Sequence, residues 1–209
     1  MPASRGPAKR SKANTRARLL EAAFEVFAEV GFEAATVEEI CDAAGFTRGA
    51  FYSNFESKEE LFFALWSGRA AAILEDLAAS ADALAGAPDR LDERIDHMVR
   101  GVTRDRQWFL VSTEFLLYAI RHPEAAATLA AHRRDLRTGL THIIATVLAT
   151  RGSDGPADVD VDDHARMIIA AVEGCQHQIW VEPAELGDAS LQVAMVRVLL
   201  GFQARQLVR

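Results

Sequence analysis

Between Thr36 and Leu61 the chain reads TVEEICDAAGFTRGAFYSNFESKEEL, where helix-start and helix-stop signals follow one another at short intervals. Thr36 can cap a helix, and Glu39 three residues on completes a capping box. Gly45 falls where that helix must stop and the backbone turn left-handed, which costs glycine least. Thr47 is placed to cap a second helix, with Phe46, Phe51 and Phe55 supplying its apolar contacts. Ser57 and Glu60 make another box, opening a helix with Leu61 and Leu65 on its first face. Two helices, a glycine turn and a short second helix with a polar outer face make a helix-turn-helix. That motif lays its second helix in the major groove of DNA.

Within the second helix the side chains divide between core and groove. Phe51 and Phe55, four apart, face inward, which leaves Arg48, Gly49, Ala50, Ser53 and Asn54 outward. Arg48 carries forked donors suited to guanine O6 and N7, and Asn54 an amide suited to adenine or a phosphate. Gly49 and Ala50 are small enough to let bases come close, and Ala50 suits a thymine methyl. On residue chemistry alone, Thr36 and Thr47 serve as caps, Tyr52 as a packing residue and Lys58 as a surface charge.

Ile40, Ala44-Gly45-Phe46-Thr47, Gly49, Phe51-Tyr52, Phe55, Ser57-Lys58-Glu59 and Leu61 occur in the order of the signature of the tetracycline-repressor (TetR) family of bacterial transcription regulators. LLEAAFEVFAEVGFEAATV resembles that family's first helix and the start of its second, so the likeness covers a fifth to a quarter of the chain. Phe46 and Cys41 depart from it, standing where smaller aliphatic residues are usual. The resemblance implies that Thr36, Thr47, Tyr52 and Lys58 hold phosphates, a role suited to hydroxyls and helix amino ends. It also implies a small-molecule pocket in the body and a homodimer built on the last two helices.

Net charge is −7 over 209 residues, which looks wrong for a DNA binder until it is divided. Residues 1–18 hold Arg5, Lys9, Arg10, Lys12, Arg16 and Arg18 with no acid, so the first 18 carry +6 and the rest −13. A basic end on an acidic body suits a protein that meets phosphate at one end only. No run reaches the roughly 18 apolar residues of a membrane helix. No apolar stretch follows the basic start, so no secretory signal is expected. Cys41 and Cys175 lack paired spacing and read as reduced core residues of a cytoplasmic protein.

Apolar periodicity predicts an all-α chain, with a flexible basic arm over 1–12, a three-helix head over 13–57 and a helical body over 58–209. The resemblance implies that the head is the DNA-binding domain and the body the ligand-binding and dimerisation domain. The first helix runs from about Asn14 to Val30 with Leu20, Ala23, Phe24, Phe27 and Val30 on its inner face. A long helix starts at Lys58 and breaks at Ala85-Gly86-Ala87-Pro88, and Pro123 opens another long one. Asp158, Asp160 and Asp162 imitate the opening of a calcium loop, but Asp163 replaces the needed glycine and Ile169 the final glutamate. That segment reads as a loop with an aspartate cap.

In the body, Phe62, Trp66, Met98, Trp108, Phe109, Phe115 and Tyr118 form an aromatic and apolar set. They are candidates for the pocket as well as for ordinary core. Embedded polar residues point more sharply, because a buried polar group needs a partner: Glu114, His97, His142, Gln176 and His177. For the dimer, Ile168, Val172, Gly174, Leu191, Ala194, Val198 and Phe202 supply the apolar stripes. No catalytic motif stands out, and neither a metal nor a cofactor is expected. The expected partners are an operator duplex, an effector of unknown identity and a second copy, with no membrane. Three readings stay open: a ligand-released repressor, an activator or co-repressor-dependent regulator on the same fold, and a helical binding protein or enzyme that has lost operator binding.

Overall fold

The computed structural model describes residues 7–85, 91–103, 105–149, 160–186 and 189–200. Every element among them is a helix: α1 (Pro7–Val30), α2 (Val37–Ala44), α3 (Arg48–Tyr52), α4 (Lys58–Ala85), α5 (Leu91–Thr103), α6 (Arg106–Arg121), α7 (Pro123–Ala149), α8 (Val161–Val181), α9 (Pro183–Leu186) and α10 (Ser190–Leu199). The all-α expectation holds. None of the described helices is long and apolar enough to cross a membrane.

Helix α1 begins at Pro7, well before the expected Asn14. Proline suits a first helical position, and Ala8, Lys9, Arg10, Lys12 and Ala13 are mostly strong helix formers. Part of the expected basic arm is therefore helical, while residues 1–6 lie outside the described residues. The inner face of α1 is also rotated from the expected one. Leu19, Ala23 and Phe27 are buried, Leu20 and Phe24 are half-buried, and Val30 is exposed. Gly31 at φ 85° turns the chain after Val30, and it is Phe32 that enters the core.

The chain groups into two compact units. The first holds Met1–Arg69 and Gln107–His132, and the second Ala70–Arg106 and Arg133–Arg209. This grouping cuts α4 and α7 rather than falling at residue 57, and it places most of α6 with the head. In the first unit Leu19, Phe27, Phe32, Ile40, Phe51, Phe55, Leu61, Phe62, Val111 and Phe115 make one core. In the second, Ala81, Ile95, Val99, Ile144, Val147, Ala165, Ile168, Val193 and Val196 make another.

Ile168 is thus a core residue of its own unit, not a residue of an outer stripe, and half-buried Val172 packs against the same core. They fall on the side of α8 that meets α10, because a helix position is shared out by its angle and not by its hydrophobicity. Gly174 is exposed with nothing near a would-be Cβ, and Ala194 is half-buried. Leu191 (37% exposed) and Val198 (48%) do stand outward, together with Met167, Val181 and Met195. Phe202, most of the Ala85–Pro88 break and residues 151–159, with Asp158, lie outside the described residues. Asp160 caps α8 by accepting the Asp162 N–H (2.9 Å). The Asp162 carboxylate itself accepts from Arg137 (2.7 Å) and Arg166 (2.9 Å).

Candidate nucleic-acid interface

Helix α2 and its turn into α3 are held mainly by local bonds. Thr36 Oγ1 accepts the Glu39 N–H (3.2 Å), while the Glu39 carboxylate accepts both the N–H and the hydroxyl of Thr36, each at 2.8 Å. Those bonds lower the Glu39 pKa, the backbone one most. Gly45 closes α2 in the left-handed region (φ 70°), its N–H donating to Asp42 and that of Phe46 to Cys41. This is the double bond of a Schellman motif. Arg18 adds a further cap, donating to the Ala44 carbonyl (2.8 Å) and lying over the Phe46 ring (4.9 Å). Arg16 lies over Phe55 in the same way (4.7 Å). Two of the six early basic residues therefore hold the head together, a role that charge counting does not reveal.

Thr47 caps α3 by accepting the Ala50 N–H (3.3 Å). The helix is only five residues long, with Phe51 inside it and Phe55 just beyond it in the core. Arg48, Gly49 and Ser53 are exposed, as the alternation requires; Ala50 is half-buried, and Tyr52 is exposed rather than packed away. Ser53 is already the C-cap, its hydroxyl donating to the Ala50 carbonyl (2.9 Å). Asn54 lies past the helix end, and its amide does not face outward as expected. It donates to the Ala50 carbonyl (2.8 Å) and to Ser53 Oγ (3.2 Å), and its Oδ1 is buried with no hydrogen-bond partner. A helix this short leaves its last carbonyls unsatisfied, and Ser53 and Asn54 are the side-chain donors in reach.

Gly49 is informative because the fold does not require it. Its backbone is ordinary, and a Cβ there would meet only Thr47 Oγ1, at an unstrained 3.7 Å. Glycine in a helix costs roughly 1 kcal/mol against alanine.

Lys58 does not stand free for a phosphate. Its ammonium donates to the carbonyls of Phe32 (2.6 Å), Ala35 (2.7 Å) and Glu33 (3.1 Å) and sits 4.7 Å from the Phe32 ring centre. Burial holds its pKa below the usual lysine value. The α1–α2 connection has few internal partners for its carbonyls, and Lys58 supplies them. Phe32 is the hub of that connection. Its ring meets Phe115 (4.7 Å), Tyr118 (4.9 Å), Phe27 (5.2 Å) and Phe62 (5.7 Å), and its N–H donates to the Glu114 carboxylate (3.0 Å).

Glu114, a candidate polar residue of the pocket or a structural partner, is exposed and caps this connection. A Cβ on Gly31 would collide with it, so Gly31 is needed for space as well as for its positive φ. Tyr118 donates to Glu59 (2.8 Å), and its hydroxyl is pushed up to about 12, by burial first and then by that bond.

Of the other residues read as pocket lining, Phe62 and Phe115 are fully buried and stacked on each other (3.6 Å, 10°), which makes them core. Trp66 and Trp108 are half-buried, 5.8 Å apart, and the Trp66 indole N–H is buried with no hydrogen-bond partner. These all lie in the first unit. Met98, His142 and Gln176 belong to the second, where Met98 packs on the core, Gln176 is half-buried and His142 is exposed. His97 and His177 are exposed as well. Among the described residues, the buried polar side chains are instead His164 and Gln192. Gln192 ties α10 to α8 by donating to the Val172 carbonyl (3.1 Å). Its place inside the apolar run of α10 was the signal that could have found it.

A family model described as bacterial regulatory proteins of the tetR family matches residues 19–65, and one for the C-terminal part of BetI-type transcriptional repressors matches 87–201. The second alone spans more than half of the chain. This chain belongs to the TetR family. Among curated TetR-like relatives, it is 47% identical over 62 residues to a probable acrEF/envCD operon repressor of Escherichia coli K12, a stretch covering 28% of each chain. It is 45% identical over 62 residues to the transcriptional repressor AcnR of Corynebacterium efficiens, covering 30% of this chain and 33% of that one. These matches span only about a third or less of the relatives' own length. Solved TetR-type folds match far more of the chain. The fatty acid degradation regulator FadR of Bacillus halodurans superimposes with a TM-score of 0.72 over 95% of this chain and 97% of that one, at 17% identity. GusR of Salmonella enterica matches at 0.61 over 90% and 95%, with 27% identity.

Proposed function

We propose that this TetR-family chain is a sequence-specific DNA-binding repressor that works as a homodimer and leaves its operator when a small molecule binds. The observation that carries the DNA reading is α3 itself. Its two caps fix a five-residue helix whose exposed residues are Arg48, a glycine the fold does not need, and Tyr52. A helix that forgoes a Cβ on its open side leaves room for a close neighbour, and in a major groove that neighbour is a base edge. The basic start of the chain and its acidic remainder fit one-ended contact with phosphate.

Met167, Leu191, Met195, Val181 and Val198 leave apolar surface on α8 and α10, and a second copy is the partner we assign to it. A two-fold dimer then reads a two-fold operator. For the effector, half-buried Trp66 and Trp108 with an unpaired indole N–H favour a largely apolar molecule carrying one acceptor. No cofactor, metal or catalytic step enters this reading, and the protein acts in the cytoplasm.

A mobility shift with DNA from upstream of the protein's own gene, across a salt series, tests the reading. Binding that weakens steeply with salt yet prefers that DNA over scrambled duplex is the expected result. Equal affinity for both would remove the repressor assignment. Sedimentation should give a dimer. Tryptophan fluorescence with candidate metabolites, followed by operator release with the same compound, tests the effector.

A further inference from the structure

Arg48, the first residue of α3, is held from outside its own helix. Its Nη1 stands 2.5 Å from Oε1 of Glu38, which lies in the first turn of α2. One turn further along α3, the Tyr52 ring centre is 5.9 Å from the guanidinium carbon. The neighbouring Tyr52 side chain and then the charge of Glu38 raise the Arg48 pKa above its usual value. The ion pair spans the turn of the motif and lies on the face that carries the exposed residues of α3.

Stability does not explain the pair. The two side chains are 60% and 54% exposed, and pairs so open to water contribute little to folding. Nor does capping need Glu38, since Glu39 already supplies the box at the start of α2. A carboxylate here also opposes the approach of phosphate in every DNA sequence. Its benefit has to lie in what it does to Arg48. A guanidinium presents five N–H donors in a rigid plane, so an anchor on one edge leaves donors free on the other. A free arginine side chain must lose much rotamer freedom to place those donors on a base, whereas an anchored one has lost part of it beforehand.

We propose that Glu38 is a positioning residue for base recognition: it grips the Arg48 guanidinium by one edge so that the other edge meets guanine O6 and N7. The role rests on the operator-reading function proposed above. Glu38 sharpens the choice of sequence and does so at some loss of overall affinity.

The test begins by selecting preferred duplexes from a random pool with the purified full chain. Affinities for the selected duplex, its single-base-pair variants and an unrelated duplex are then measured by fluorescence anisotropy for the wild type, Glu38→Ala, Glu38→Gln, Arg48→Ala and the double Ala variant. We expect Glu38→Ala to lower discrimination about tenfold at the base pair that Arg48→Ala also affects. Its affinity for the unrelated duplex should rise, and its melting temperature should stay within about 2 °C of wild type. Glu38→Gln, which keeps an acceptor, should retain part of the discrimination, and the double variant should discriminate no worse than Arg48→Ala alone.

Three results overturn the role of Glu38 alone. The first is a preference that Glu38→Ala leaves unchanged. The second is a change uniform over all sequences, which makes Glu38 merely a repelling charge. The third is a change at a different base pair from that of Arg48, which makes Glu38 a reader in its own right. A pool from which the wild type enriches nothing defeats sequence-specific binding itself, and this role with it.

Discussion

The two compact units of this chain use their charged side chains for different jobs. In the first, apart from the Glu38–Arg48 pair, charged groups bond mainly to backbone: Lys58 to three carbonyls of the α1–α2 connection, Glu114 to the Phe32 N–H, Arg18 to the Ala44 carbonyl, and Glu39 to the Thr36 N–H. In the second, they bond to one another across long helices, Arg133 to Glu173 on both carboxylate oxygens and Arg137 to Asp162. The difference follows from element length. Helices of eight and five residues leave most of their terminal N–H and C=O groups without partners inside the helix, so side chains must supply them. Helices of 21 and 27 residues satisfy most of their own backbone groups and chiefly need to be kept in register. Short elements hung on side chains can present a compact, precise surface, and long ones can present broad apolar faces.

The largest effect expected from this contrast is at its hub. Phe32→Ala should destabilise the first unit by about 3–5 kcal/mol, since the ring is buried among four others. Denaturant unfolding measures it, and a loss below about 1 kcal/mol would mean the connection is not the keystone we describe. Next in size, Lys58→Ala should cost about 1–3 kcal/mol by leaving carbonyls without their charged donor. The matched change in the second unit, Arg133→Ala, should cost at most about 1 kcal/mol, because its pair is partly open to water. If the two losses are equal, the contrast between the units fails. If Lys58→Ala leaves stability alone but weakens binding to all DNA, the lysine is a phosphate contact after all.

A smaller effect, of opposite sign, is expected at α3. Gly49→Ala should stabilise by about 0.5–1 kcal/mol, as the fold has room for the methyl group and alanine prefers the helix. The same variant should bind operator more weakly in a mobility shift. Improvement in both would show that the open side of α3 faces no close partner.

The smallest effect is spectroscopic. In Tyr52→Phe, which leaves Tyr118 as the remaining tyrosine, phenolate absorbance should appear at a pH near 12. Because this pKa is raised on folding, the stability it reflects is complete below the ordinary value near 10. That stability is lost as pH climbs from there through about 12. Titration at the ordinary value would mean that the bond to Glu59, which fastens α6 to α4, is absent in solution.

The elements of the head are legible along the chain, since caps and glycine turns act between residues three to five apart. Thr36 with Glu39, Gly45 and Thr47 do in the structure what their spacing predicts. The all-helical body was equally legible, because the apolar period is a property of the chain alone. The partner of each long or polar side chain depends instead on how the helices pack. Lys58, Glu114 and Asn54 looked like groups for a ligand or for DNA. Each is instead turned onto a backbone group of its own unit, from Ala50 four residues before Asn54 to Phe32, 82 residues before Glu114. Ile168, read as interface, fell into the core by the angle at which α8 meets its neighbour. Which unsatisfied backbone group lies within reach of a given charge depends on how the chain returns on itself, and the pattern along the sequence does not contain that distance.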